Sequence, residues 1–332
     1  MAKDLDIYAL TDMNELKRLL AGAAGGKRKE VDREELAGAM KARIRGQDDA
    51  INQIASSIYA GYAKQTRTRP VATFLLVGPP GVGKTETAKA AAEYLFGSEA
   101  DLVTINGAEH KAPQEGLMKL IGAGAAYKGS EQGGMLTRPM FGKRDRVVLF
   151  DEIEKMNPDC YDLFLSMLQD GYVTEQGSGK KADFTSAVVI LTSNLDHEKC
   201  AQVAASIPDL ETRTRAYKEH FNARGFARPE ILDRIPDIVY FAPLPVDVLA
   251  EVAMLKIVAL IKEYKLRPTK IDPQAAFQLV MAVQNGGGGI RDLMQTAERR
   301  IGTDLADLAK QKVERIAVVW RDGRIRAIEG HD

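Results

Sequence analysis

Phe74-Leu75-Leu76-Val77, followed at once by Gly78-Pro79-Pro80-Gly81-Val82-Gly83-Lys84-Thr85, sets an apolar strand against a glycine-rich turn and an alanine-rich helix, Thr85 to Tyr94. Gly78, Gly81 and Gly83 let the backbone curl with its N–H groups turned inward. The helix opening at Lys84 adds the positive end of its dipole to that nest. Polyphosphate is the ligand such a nest suits. Lys84 supplies a mobile charge for β- and γ-phosphates, and the Thr85 hydroxyl is placed to ligate Mg²⁺. With a strand before it and a helix after, the loop, Pro79, Pro80 and Val82 included, reads as a site for a nucleoside triphosphate.

The bulk properties restrict what surrounds that site. A chain of 332 residues is long enough for two domains, each with its own core. Lys plus Arg equals 46 and Asp plus Glu equals 46, so no global field draws the chain to nucleic acid or acidic membrane. Basic clusters at Lys27–Lys29 and from Lys64 to Arg69 are read as solvated surface. Cys160 and Cys200 lack CxxC spacing and a histidine at metal spacing, the usage of a reducing compartment. No apolar run approaches ~18 residues and the first residues lack a signal-peptide layout, so a cytoplasmic protein without membrane contact is expected.

From Phe74 onward, short apolar runs alternate with helical stretches, at Phe74–Val77, Leu102–Ile105, Val147–Phe150, Ala187–Thr192 and Ile238–Phe241. That alternation predicts an α/β fold, a parallel sheet between helices. After Pro243-Leu244-Pro245, helical spacing covers Val246–Tyr264, Gln274–Gln284 and Arg291–Lys312. The tail, Ile316 to Ile328, carries an Asp-Gly turn between alternating runs and reads as a hairpin. The expected division is a short appendage at 1–40, a large α/β nucleotide-binding domain at 41–243, and a small, mainly α domain at 244–332.

Asp151-Glu152 ends one predicted strand at the sheet edge where open α/β sheets build their sites. Asp151 is suited to hold Mg²⁺ through water, and Glu152 to polarise an attacking water. Asn194, closing the run Ala187 to Ser193, arrives at the same edge, suited to orient that water or sense a γ-phosphate.

With these motifs in order, the chain resembles the AAA+ superfamily and, within it, the Clp-type protein unfoldases and disaggregases, particularly their second ATPase module. The likeness runs from about Arg43 to Ile328. Arg45-Gly46-Gln47-Asp48 is similar to the family's segment beside the adenine pocket, which makes Ile44 a base contact. DEIEKMNPDCYDLFLSMLQDG at 151–171 resembles the Walker B helix, and Thr192-Ser193-Asn194 the sensor 1 position. Pro229 to Phe241 resembles the segment carrying the arginine finger, which falls on Arg234. Gly289-Ile290-Arg291 matches sensor 2, with isoleucine for the usual alanine. The resemblance implies an ATPase using ATP and Mg²⁺, active as a homo-oligomeric ring, a hexamer in the family. Arg234 would act in the neighbouring subunit's site and Arg291 in its own.

Leu120 to Gly134, with Tyr127-Lys128-Gly129 at its centre, has the length and frame of the family's pore loop. Tyr127 falls on the tyrosine that grips a translocating polypeptide. Lys128 replaces the usual valine and Ser130 a second tyrosine, which points to a different client preference. No second ATPase module or coiled-coil insertion precedes Arg43, so a single-ring machine is expected, with residues 1–40 as an adaptor contact. Between Asn194 and Pro229 no Ile-Gly-Phe or Ile-Gly-Leu tripeptide occurs, so no peptidase partner is expected. Two functional classes stay open: a ring that threads polypeptide through its pore, and an assembly or loader ATPase acting as a nucleotide-switched scaffold on DNA or a protein complex.

Overall fold

Apolar strands without alternation require a sheet covered on both faces, and that is the arrangement in the computed structural model, which describes residues 30–124, 132–226, 228–285 and 290–330, leaving out the side chains of 283–285, 290 and 291. The chain divides into Met1–Asp32 and Arg33–Asp332, and all elements named below belong to the second unit. Helices α1 (Arg33–Arg43) and α2 (Asp48–Ala63) precede strand β1 (Ala72–Val77) and helix α3 (Lys84–Phe96). Strand β2 (Leu102–Asn106), helices α4 (Pro113–Ile121) and α5 (Arg138–Gly142) and strand β3 (Val147–Asp151) follow. Helix α6 (Asp162–Leu165) runs on into a π-helical turn, Ser166–Asp170, and then into the hairpin β4 (Tyr172–Thr174) and β5 (Lys181–Asp183). Strand β6 (Val188–Ser193), helices α7 (His197–Ser206), α8 (Leu210–Ala223) and α9 (Pro229–Asp233), and strand β7 (Asp237–Tyr240) complete this part.

Five parallel strands form one sheet in the order β2-β3-β6-β1-β7. Every residue of β1 and β6 is buried, as central strands covered on both faces must be. The register Val77↔Ser193 and Phe150↔Leu191 brings the C-terminal ends of β1, β3 and β6 to one edge, so all five predicted strands converge on the loops that carry the motifs. At that edge Gly78 (φ 147°) passes so close to the chain after β7 that a Cβ would lie 2.2 Å from the Phe241 carbonyl oxygen.

Beyond Pro245 lie helix α10 (Val246–Glu263), strand β8 (Arg267–Ile271), helices α11 (Pro273–Asn285) and α12 (Ile290–Lys310) and the hairpin β9 (Arg315–Arg321) and β10 (Arg324–Glu329). The predicted Asp-Gly turn is present, with Asp322 at φ 52° and Gly323 at φ 74°, the pair of positive values a two-residue hairpin turn requires. β8 was not legible in the sequence. It joins β9 in parallel, making a three-stranded sheet, order β10-β9-β8. A separate apolar core, including Leu260, Ile261, Leu293, Ile301 and Val318, holds these helices on that sheet. Among the described residues no helix is long and apolar enough to cross a membrane.

Gly61, inside α2, tests whether packing or propensity rules this fold. Alanine in a helix is about 1 kcal/mol better than glycine on propensity alone. Here its Cβ would sit 1.9 Å from the Val71 carbonyl oxygen, a backbone atom at the entry to β1. Gly61→Ala is therefore expected to destabilise by about 1–3 kcal/mol, measured as a lower urea midpoint. An unchanged or raised midpoint would refute the packing assignment.

Candidate nucleotide site

The sheet edge opens into a cavity of about 770 Å³ lined by the glycine-rich loop, the ends of β3 and β6, and residues of α10 and α12. Lys84 is 6% exposed, and its Nζ donates to the Gly78 carbonyl at 2.7 Å, the Pro79 carbonyl at 2.6 Å and Asn194 Oδ1 at 2.9 Å. A buried ammonium needs acceptors, and here the loop and the β6 end supply them together. Pro80, Gly81, Val82, Gly83 and Thr85 line the same cavity. Ile44 is 3% exposed and packs on Gly83, where a Cβ would come within 3.3 Å of its Cγ2. It forms part of the cavity wall, as do Val252, Leu255 and Met294.

Asp151 and Thr85, both expected at Mg²⁺, lie together, the hydroxyl 3.1 and 3.3 Å from the two carboxylate oxygens. Glu152 is in the left-handed region, φ 54° and ψ 52°, an uncommon conformation for a residue with a Cβ and one concentrated at functional positions. Its carboxylate pairs with Lys155 Nζ at 2.9 Å. Asn194 is held from two sides, by Lys84 at its side chain and by Glu154 Oε1, which accepts its backbone N–H at 3.3 Å.

Several contributors to the site were not singled out from sequence. Thr192, 1% exposed, donates to Asp151 Oδ1 at 2.5 Å and accepts the Glu152 N–H at 3.0 Å, so one hydroxyl sets both acidic residues. Gln47, 4% exposed, donates to the Ala242 carbonyl at 2.8 Å and accepts the Ala242 N–H at 3.1 Å, with the Val82 carbonyl 3.4 Å from the same Nε2. It ties the segment before α2 to the glycine-rich loop and to the chain after β7. Arg43 anchors the cavity wall beside Ile44, contacting Glu86 at 2.5 Å, Glu99 at 2.7 Å and Glu93 at 2.8 Å. Burial would raise the Glu86 carboxyl, but hydrogen bonding and charge from Arg43, with Lys89 and Lys256, outweigh it and hold it below the usual carboxylate range.

Other predicted residues stand apart. Arg234 does not line the nucleotide cavity and lies instead by a second one with Lys64, Arg69 and Asp233. Arg291 falls in the first turn of α12, where its side chain is outside the described residues, and Tyr127 and Lys128 lie outside them altogether. The flanks of their loop are tied down. Met135 and Leu136 N–H groups donate to the Lys119 and Leu120 carbonyls at 2.8 and 3.0 Å. Buried Glu175, from the β4–β5 turn, accepts the Gly134 N–H at 3.1 Å and the Thr137 hydroxyl at 3.0 Å.

The donor set fits a magnesium nucleotide. Among the described residues no group of three or more His, Cys, Asp or Glu is arranged to hold a metal. One carboxylate and one hydroxyl beside a phosphate cradle is the pattern for Mg²⁺ that is held largely by phosphate and water. Thr192→Val keeps the shape and removes the shared hydroxyl. The variant is expected to bind nucleotide with near-normal Kd while turnover falls on the order of tenfold, the equivalent of ~1.4 kcal/mol lost in positioning Glu152. Wild-type turnover would show that the hydroxyl does not position the acid.

Comparison with known proteins agrees with this geometry. The family profile for the AAA domain (Cdc48 subfamily) matches residues 69–238, slightly more than half of the chain. The chaperone protein ClpB of Aquifex aeolicus (strain VF5) is 36% identical over 273 residues, 80% of this chain and 27% of that protein. ClpB of Streptomyces albus G is 34% identical over 266 residues, 80% and 30% of the two chains. ClpB of Helicobacter hepaticus (strain ATCC 51449 / 3B1) is 40% identical over 200 residues, 60% and 22%. The chain thus spans less than a third of the length of these relatives. With the phosphate loop, the acidic strand end and the polar β6 terminus assembled at one edge of a five-stranded parallel sheet, the chain belongs to the AAA domain family and is a Clp-type AAA+ module.

Proposed function

We propose that this protein is an ATP-hydrolysing remodeller of other proteins, working as a homo-oligomeric ring, a hexamer, that draws polypeptide through its centre. The observation that carries the reading is a division of labour. Lys84, Thr85, Asp151, Glu152 and Asn194 share one cavity, whereas Arg234 lines a different one. An arginine so placed would complete the site of a neighbouring copy.

Within one subunit, Lys84 would exchange its loop carbonyls for β- and γ-phosphate oxygens, and Asn194, hydrogen-bonded to Lys84, would sense that exchange. When bound, Mg²⁺ would supply charge neutralisation for the phosphates. Thr85 and Asp151 would hold it. Glu152, released from Lys155, would take the proton of the attacking water. Residues 41–243 would form the body of each subunit, and 244–332 a lid that lines the cavity through Leu255, Lys256, Met294 and Gln295, with Arg291 reaching the phosphates. Residues 1–40 would meet an adaptor, and no peptidase partner is assigned.

Polypeptide would be gripped by Tyr127, with Lys128 favouring acidic segments. Support for this role comes from the anchored flanks: a glycine-rich loop presented from a base pinned by Glu175 can transmit the motion of the subunit to whatever its tip holds. An aromatic ring grips extended chain with little regard to sequence.

Arg234→Ala is expected to leave nucleotide affinity of isolated subunits near normal and to reduce ring turnover by about 10³-fold or more, the scale on which such fingers act. Co-assembly with Lys84→Ala subunits should restore part of the turnover, since one variant donates a finger and the other an intact pocket. No recovery in verified mixed rings counts against action in trans. Tyr127→Ala is expected to keep basal turnover and assembly while losing remodelling of a folded client and stimulation by unfolded polypeptide. Full remodelling by that variant would reject threading in favour of a nucleotide-switched scaffold.

A further inference from the structure

The segment that starts with the acidic pair does not end as a regular helix. Helix α6 passes into the π-helical turn Ser166–Asp170, closed by Gly171 at φ 75°. A π turn inserts an extra residue into the helical repeat and is enriched at functional positions. Met167 and Leu168 stay in the core at 0% and 2% exposure, while Gln169 is turned out to the surface. There its Oε1 accepts from Arg234 Nε at 2.9 Å and also from Arg234 Nη2. The Glu230 carbonyl accepts from Arg234 Nη1 at 2.5 Å. Asp233 and Asp237, the adjacent acids, do not take the guanidinium, although Asp233 lines the same cavity of about 500 Å³ with Lys64 and Arg69.

We infer that Gln169 is a positioning residue for Arg234, a neutral cradle that aims the guanidinium along the subunit face and releases it to the phosphate of a neighbouring copy. The inference rests on the proposed action of Arg234 in trans. Both acceptors are uncharged. A hydrogen bond to a neutral amide oxygen is about half as strong as a charge-assisted one to phosphate, so exchange of Gln169 for phosphate is downhill. A carboxylate at the same position would compete with the phosphate and hold the arginine back. Gln169 also belongs to the segment, 151–171, that begins with Asp151 and Glu152. The aim of the finger offered to one neighbour is thereby joined covalently, through two 3₁₀ turns, α6 and the π turn, to the acidic pair of the subunit's own pocket.

The test is Gln169→Glu in the full-length ring, with Gln169→Met as a neutral control lacking the acceptor; the site is exposed, so neither change disturbs the core. A half-exposed ion pair shifts an equilibrium by less than about tenfold, so Gln169→Glu is expected to lower turnover roughly three- to tenfold at low salt and to recover partly as ionic strength rises. Nucleotide Kd of isolated subunits should not move. Gln169→Met should fall less and show no such salt recovery. In an Arg234→Ala background Gln169→Glu should have no further effect, and mixing Gln169→Glu with Lys84→Ala subunits should restore turnover. Wild-type turnover in Gln169→Glu, a further loss in the Arg234→Ala background, or no rescue by Lys84→Ala where Arg234→Ala is itself rescued, would each overturn the inference and leave action in trans standing. Failure to rescue Arg234→Ala would overturn both.

Discussion

A buried ammonium is the constraint around which the sheet edge is built. Lys84 lies almost wholly out of solvent, and a charge so placed is tolerated only where oxygen atoms surround it. Three of those oxygens come from two chain segments far apart in sequence, the turn after β1 and the end of β6. Satisfying one cation therefore fixes how the two central strands end. Asn194 is held there by Lys84 and Glu154, and Thr192, two residues earlier, then reaches back to the acidic pair on β3. The phosphate loop, the acids and the polar strand end are one hydrogen-bonded network, not three neighbouring motifs.

Two arginines differ in the kind of acceptor that surrounds them. Arg43 is surrounded by three carboxylates and holds the cavity wall beside Ile44 in a fixed place. Arg234 is met by an amide oxygen and a carbonyl. Both are partly exposed, yet the first is bound by opposite charges and the second by dipoles alone. A guanidinium held by neutral acceptors is held more weakly than one held by carboxylates, and the residue types around each arginine differ in that sense.

Much of this was legible in the chain because the central strands are buried on both faces and announce themselves as unbroken apolar runs, and because a phosphate loop has few chemical solutions. β1, β3 and β6 were visible for the first reason, and Lys84, Thr85 and Asp151 for the second. Thr192 was in plain view within Thr-Ser-Asn, but its role depends on a partner 41 positions away. Gln47 is further still from Ala242, 195 positions apart, and an amide bonding to backbone leaves no pattern in side-chain types. β8 reads Arg-Pro-Thr-Lys-Ile with no fully buried residue, and besides Ile271 on the core and Thr269 on the Ile316 carbonyl its place in the second sheet comes from backbone pairing with β9. Periodicity reports burial, and where an element is exposed it has nothing to report.

The staple made by Glu175 limits what the residues beside it can become. With Gly134 and Thr137 bonded to one buried carboxylate and the flanks joined backbone to backbone, the ends of the loop are brought together by the body of the domain. The entropic cost of closing a loop depends on its length and only weakly on its composition. Among the described residues between those ends Ile121 belongs to the core, and a Cβ on Gly134 would lie 2.1 Å from the Leu120 carbonyl oxygen, so these positions are held as firmly as Glu175. The constraint of the fold therefore reaches into the segment from both ends, through backbone and glycine as much as through the carboxylate.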